Sequence, residues 1–371
     1  MTTCRTPASF AKHDLLGRHG SGTGLTRRSL LAGAASAAVV ASGPAFAAAP
    51  RRVPFGSAIQ AEYFDDAGYR ALFRDHCDIV LPMNELKFDL VHPEREVFAF
   101  EPADRLVDFA TENGKRSRGH TVVWWNGVPP WLAALNDPRE IETELRRHVD
   151  AVVGRYAGRL ESWDVCNEVV AHEAPYDAPM RDSFWQRALG SRHIPIAFRA
   201  VAGADPKAKL VLNDYDLEFR GERYDRRRAS IVEIARQLQD AAIRIDAVGI
   251  QGHLYADQAV DIEALGRFGE ALKRMGIALI VTELDVIDWK ISGGPAGQDA
   301  AAAKSVGDLL EGVFAAGPPL AVIAWGMTDR HSWVDDVMPH GDGTPSRPLP
   351  FDATGRPKHW FRLIEKRLRE G

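Results

Sequence analysis

Eight short apolar runs, each followed by a longer, more polar stretch with helical spacing, recur along this chain and constrain its fold more than any other feature. They occupy residues 55–60, 78–82, 117–124, 161–165, 209–215, 247–251, 278–282 and 321–325. Runs of this length bounded by polar residues read as buried strands. The stretches between them place apolar side chains on one helical face, as with Ile141, Leu145, His148, Val149 and Val152 within 141–156, or Ile231, Ile234, Ala235 and Leu238 within 229–238. Strand followed by helix, eight times over, predicts an α/β fold in the form of a single (β/α)8 TIM barrel. An open, doubly wound sheet lacks its main cue, because no Gly-x-Gly-x-x-Gly follows the first run.

In a barrel of this kind the chemistry sits at the carboxyl ends of the strands, and the residues there share one character. The second run leads to Asn84 and Lys87, and the third contains His120 and ends in Trp124, Trp125 and Asn126. The fourth leads to Asn167 and Glu168, the fifth to Asn213, Asp214 and Tyr215, and the sixth to Gln251 and His253. The seventh leads to Glu283 and Asp285, and the eighth to Trp325 with Trp333 beyond it. Amides, carboxylates and indoles converging on one mouth make a polar cleft with aromatic walls, suited to a carbohydrate. Two carboxyl groups on two strand tips are also what hydrolysis of a glycosidic bond requires. Either glutamate alone would read as a surface carboxylate or part of an ion pair. Together, flanked by Asn167 and Asp285, they read as a pair of catalytic groups.

The rest of the composition excludes other classes. The chain has 371 residues, 45% hydrophobic and 26% charged, with a formal net charge of −5. The first 47 residues hold five basic side chains and one acidic one, so the remainder is more acidic still. An acidic domain offers nucleic acid or an anionic membrane no electrostatic footing. Three cysteines (Cys4, Cys77, Cys166) contain no Cys-x-x-Cys, and the last two sit in apolar surroundings, where packing is expected. No metal and no cofactor is expected.

The amino terminus reads as an address. Arg27-Arg28-Ser29-Leu30-Leu31 precedes an Ala-rich apolar run, and Ala45-Phe46-Ala47 offers a small-x-small cleavage site. Residues 1–47 are therefore expected to be a twin-arginine-type signal peptide. The mature catalytic domain, 48–371, is then periplasmic or secreted, and a monomer without membrane attachment. The competing reading, an uncleaved anchor, suffers from Gly33, Gly43 and Pro44 within the run.

Taken in order, Asn84-Glu85-Leu86-Lys87, Gly119-His120-Thr121, Trp163-Asp164-Val165-Cys166-Asn167-Glu168, Asn213-Asp214-Tyr215, Gln251-Gly252-His253-Leu254, Thr282-Glu283-Leu284-Asp285 and Trp325-Gly326-Met327-Thr328-Asp329 resemble glycoside hydrolase family 10, the retaining endo-β-1,4-xylanases. The resemblance extends from about Phe55 to about Trp360. It implies that Glu168 is the acid/base and Glu283 the nucleophile, with their carboxyl groups about 5–5.5 Å apart as retention demands. It further implies that Asn167 binds the 2-hydroxyl at the cleavage site, that Asp285 holds His253 against Glu283, and that Asn84 and Lys87 bind the next sugar. Trp325 and Trp333 would form floor and wall, with His120, Trp124, Tyr215 and Gln251 completing the substrate-binding set. Xylan is the implied substrate.

Three positions depart from the family pattern. Met83 stands where a glutamate is usual, and Trp125 and Gly127 replace the histidine and glutamine of the usual Trp-His-Ser-Gln run. Lost polar readout of sugar hydroxyls can alter discrimination by orders of magnitude. The alternatives are thus a family enzyme with changed preference, for decorated xylan or another β-glycan, and a carbohydrate-binding barrel without catalysis.

Overall fold

The computed structural model describes residues 51–172 and 179–371; the expected signal peptide and Cys4 lie outside them. The apolar runs form β1 (Phe55–Ile59), β2 (Ile79–Pro82), β3 (Gly119–Trp124), β4 (Ser162–Asn167), β5 (Lys209–Asp214) and β6 (Ala247–Ile250). They continue with a short β7 (His253–Tyr255), a long β8 (Ala278–Ile287) and β9 (Val322–Ala324). The sheet order is β2-β1-β9-β8-β6-β5-β4-β3, with every ladder parallel. The two ends of this order meet through a parallel bridge between Ile79 and Arg116, where Val80 N donates to Arg116 O at 3.0 Å. Eight strands therefore curl into a nearly closed barrel. Each is followed by a helix, from Ala67–His76 after β1 to His359–Glu370 after β9.

Local chemistry explains where the helices begin. Asp137 accepts from Arg139 N and Pro138 opens the helix Pro138–Arg155, three residues before the periodic pattern starts. Its buried face carries the expected Ile141, Leu145, His148, Val149 and Val152. The helix Glu222–Asp240 buries the expected Ile231, Ile234, Ala235 and Leu238, and with them two arginines, Arg227 and Arg228. Buried cations need partners, and Arg227 finds Asp214 at the tip of β5, 2.5 Å away. That ion pair ties a helix to the barrel mouth.

Two apolar clusters hold the layers. The larger lies between sheet and helices and includes Trp163, Trp185 and Trp360. The smaller fills the barrel interior with Ala58, Ile79, Leu81, Met83, Val211, Ile280, Ile323 and Trp325, and Trp333 packs against it. Met83 and Trp325, each directly after a strand (β2 and β9), belong to this inner cluster. Cys77 and Cys166 are both buried and free, as packing side chains.

β8 runs five residues beyond its predicted end because it serves two neighbours in turn. Its first part pairs with β6 and its last with β7, with His253 opposite Asp285. Between β6 and β7 the chain breaks step at Gln251 and Gly252, where Gly252 adopts φ +80°, a region costly for residues with a Cβ. The buried Glu218 accepts from Gly252 N at 2.7 Å and holds the break in place.

Candidate active site

Glu283 stands on β8, with its side chain only 5% exposed and contacts on three sides. Asn213, from β5, donates its Nδ2 to Glu283 Oε1 at 2.7 Å. His253 Nε2 lies 3.3 Å from Oε2, and its Nδ1 is 2.9 Å from Asp285 Oδ1. His120 Nδ1 comes within 3.9 Å of Oε1 while hydrogen-bonding Asp164 at 2.9 Å. Asp164 is itself paired with the fully buried Arg118. The Glu283 carboxyl is therefore gripped by residues from β3, β5 and β7.

Asn213 also fixes the other half of the site. Its Nδ2 reaches Asn167 Oδ1 at 2.9 Å, and Thr282 Oγ1 donates to its Oδ1 at 2.7 Å. A Cβ on Gly249 in the adjacent strand would fall 2.1 Å from that Oδ1, so the amide has room only because β6 carries glycine there. Asn167 Nδ2 in turn donates to Glu168 Oε1 at 3.2 Å, as does Gln251 Nε2 at 3.2 Å. An unbroken path of hydrogen bonds, Glu168–Asn167–Asn213–Glu283, links the two carboxyl groups across the mouth.

Glu168 lies just past β4 with φ +59°, a left-handed conformation that non-glycine residues hold only under tertiary constraint. The constraint is visible: its N–H donates to Asn213 O at 2.9 Å and its carbonyl accepts from Arg181 Nε at 2.8 Å. Trp125 Nε1 donates to Glu168 Oε2 at 2.5 Å. The Arg181 guanidinium lies over the Trp125 ring, 4.8 Å from its centroid, and also bonds the Tyr215 hydroxyl. Tyr215 is further joined to His172 at 2.7 Å.

Other residues expected at the site contact one another. Lys87 Nζ donates to Asn84 Oδ1 at 2.8 Å and sits 4.8 Å from the centroid of Trp124. Trp325 meets the His120 ring edge-on at 4.9 Å. Trp333 Nε1 donates to Asp285 Oδ2 at 2.7 Å, so this indole steadies the carboxylate that holds His253. Met83 is buried in the apolar floor beside Trp325. Trp125, which stands where the family pattern has a histidine, has its N–H taken by Glu168.

Electrostatics divide the pair. Burial would raise the Glu283 carboxyl, but His120, His253 and Lys87 outweigh it and hold the group below the usual carboxylate range. Burial likewise opposes charge on His253, yet Asp285 and Glu283 push it well above the ordinary imidazole value, which favours its charged form. Burial lowers Lys87 against the pull of Glu283, Asp89 and Glu168. Burial also lifts Asp214 to about 6 despite Arg227. An anion at Glu283 is thus the stable state of this cleft.

Sequence reasoning gave no role to Asn213, Thr282, Arg181 or Asp164. Asn213 had a signal, an amide at a strand tip with glycine at the matching place in the next strand. Arg181 had none, since it lies in a loop without periodicity. Among the described residues no cluster of three or more His, Cys, Asp or Glu side chains could hold a metal ion. No described helix is long and apolar enough to cross a membrane.

A barrel with two linked carboxyl groups at its mouth, one stabilised as an anion, is the framework of a glycoside hydrolase. The sequence profile described as Glycosyl hydrolase family 10 matches residues 45–367. Endo-1,4-beta-xylanase 1 of Gibberella zeae is 32% identical over 306 residues, covering 78% of this chain and 81% of that protein. Endo-1,4-beta-xylanase B of Thermotoga neapolitana is 30% identical over 316 residues, covering 82% and 86%. The crystal structure of xylanase 10B from Thermotoga petrophila RKU-1 in complex with xylobiose superposes with a TM-score of 0.76 at 27% identity, covering 86% of this chain and 94% of that one. The chain belongs to glycosyl hydrolase family 10, a family of retaining glycosidases.

Proposed function

We propose that this protein is a retaining endo-β-1,4-xylanase that cleaves internal bonds of xylan by double displacement. Glu283 attacks the anomeric carbon and forms the glycosyl ester, while Glu168 gives its proton to the departing oxygen. Esterification removes one negative charge from the cleft, and Glu168 then accepts a proton from the attacking water as the ester breaks. Asn167 binds the 2-hydroxyl of the reacting sugar. His253, charged and held by Asp285, keeps Glu283 ionised. Asn84, Lys87 and His120 bind the glycone side, and Trp124, Tyr215, Gln251, Trp325 and Trp333 complete the walls. The observation that carries this reading is the hydrogen-bonded path through Asn167 and Asn213, which joins the two carboxyl groups into one unit. The xylanase relatives and the xylobiose complex support the substrate class.

Met83, Trp125 and Gly127 favour a second reading, in which the mechanism stands and the glycone preference is changed. With an apolar floor at Met83, one polar contact to sugar is missing. Reducing-sugar release by the protein from Ala48 onward tests both readings, on glucuronoxylan, arabinoxylan, mixed-linkage β-glucan and carboxymethylcellulose, with Glu283→Ala as the blank. Xylan cleavage lost in the variant is expected. Cleavage of glucan without xylan would establish the second reading in place of the first, and no variant-sensitive release from any polymer would sink both.

Residues 1–47 are proposed to direct export through a twin-arginine-type route, leaving a periplasmic or secreted monomer that starts at Ala48. Amino-terminal sequencing of the exported protein and its mass in solution test this. An amino terminus upstream of Arg27 would contradict it.

A further inference from the structure

Trp125 is 40% exposed, yet its one polar atom faces the protein instead of water. At 2.5 Å from Oε2 it makes the shortest hydrogen bond received by the Glu168 carboxyl; Asn167 and Gln251 reach the other oxygen at 3.2 Å each. The indole is also held from one side. Arg181 covers its ring at 4.8 Å and is itself tied to the Glu168 carbonyl at 2.8 Å, with its guanidinium 4.0 Å from Oε2. With one face covered and its N–H engaged, Trp125 is poorly placed to act chiefly as a sugar platform.

We propose that Trp125 is a positioning residue for Glu168, aiming the carboxyl at the glycosidic oxygen through a donor that does not titrate. The proposal rests on the reading of Glu168 as acid/base. As the proton passes from Glu168 to the leaving oxygen, the C–O bond breaks and the carboxyl becomes a carboxylate. A hydrogen bond from the indole to Oε2 strengthens during that change, so it contributes more in the transition state than in the ground state. The indole keeps its own proton throughout. A histidine at this position would instead gain and lose charge near neutral pH.

The test compares kcat/KM on a xylo-oligosaccharide with kcat/KM on 2,4-dinitrophenyl β-xylobioside, whose leaving group departs without a proton. Trp125→Phe keeps a ring under Arg181 and removes only the donor. It is expected to lose about tenfold or more on the oligosaccharide and to stay within roughly twofold of wild type on the dinitrophenyl substrate. Equal loss on both substrates, or loss on neither, overturns the proposal. Trp125→His restores an N–H that titrates. It should recover much of the oligosaccharide rate and add an ionisation near pH 6.5, about the ordinary imidazole value, to the profile of kcat/KM. Lys87, Arg181, Asp214 and Tyr215, which also face Glu168, are unchanged in that variant, so a new limb would belong to the imidazole. An unchanged profile in folded Trp125→His overturns the proposal even if Trp125→Phe does not fold. Glu168→Ala serves as the control. If it lacks the substrate split, the acid/base reading of Glu168 fails, and that failure is separate from the result at Trp125.

Discussion

The two carboxyl groups of the cleft are held in opposite ways. Glu283 is gripped by strand residues, its side chain 5% exposed, with imidazoles and a lysine supplying positive charge around it. Glu168 sits past the end of its strand, 14% exposed, and leans on Trp125 and Arg181 from neighbouring loops. In the proposed mechanism a nucleophile needs one fixed position and one fixed charge, which the strands and the positive groups around Glu283 would provide. The proposed acid/base must meet water and change protonation twice per cycle, and the more open surroundings of Glu168 suit that role. Of the three departures, Trp125 touches Glu168 directly, Gly127 lies beside Asp89 and Trp124, and Met83 belongs to the apolar cluster inside the barrel.

Removing the fixed partner is the harshest challenge to that contrast. Glu283→Ala should lower turnover by about 10⁴-fold or more on both xylo-oligosaccharide and aryl xylobioside, because no leaving group compensates for a missing nucleophile. Residual activity within tenfold of wild type would remove Glu283 from the reaction. Next in size, Asp285→Asn withdraws the anion that keeps His253 charged, with an expected loss on the order of a hundredfold. The direction of its pH effect follows from the charges. Glu283 is held below the ordinary range, so its anion survives as pH falls until that lowered value is reached. Weakening the His253 cation raises the value, and the acidic limb of kcat/KM should move to higher pH. A limb that stays put would show that His253 does not set the state of Glu283. On the other side of the cleft, Arg181→Met should cost about tenfold on xylo-oligosaccharide and leave the acidic limb unmoved. A shift equal to that of Asp285→Asn would erase the distinction between the two halves.

The contrast also explains what could be read from sequence. Strand existence was legible, because buried parallel strands are short apolar runs, and six of the eight ended within one residue of the place expected. β8 was cut short, since its outer part, Glu283 to Ile287, alternates carboxylates with apolar residues and pairs with a strand too short to show a pattern. Site residues on a strand or directly after one, such as Asn167, Glu168, His253 and Glu283, lie in ordered motifs and could be named. Arg181 and the Trp125 contact could not, because a loop residue reaches its partner through tertiary geometry that no local spacing encodes. Asn213 is intermediate: its position was evident, its double contact was not.

The smallest effect concerns the support behind the rigid half. Glu218 lies buried under the break between β6 and β7, accepting from Gly252 N at 2.7 Å and Leu217 N at 2.8 Å. Burial, with Asp216 nearby, lifts its carboxyl from an ordinary 4.5 to about 7. A carboxyl raised on folding binds more protons in the folded state than in the unfolded one. Its contribution to stability is therefore full below about 4.5 and declines as pH rises toward about 7. Glu218→Gln cannot ionise, so wild type should lose melting temperature relative to the variant between pH 4.5 and pH 7, by roughly a few degrees in a domain of this size. The slope is the measurement, since the amide also gives up one acceptor and shifts both melting points together. A difference that does not change with pH would mean that Glu218 is ionised throughout, and that the rigid half of the cleft carries a buried anion under the β6–β7 break as well as at Glu283.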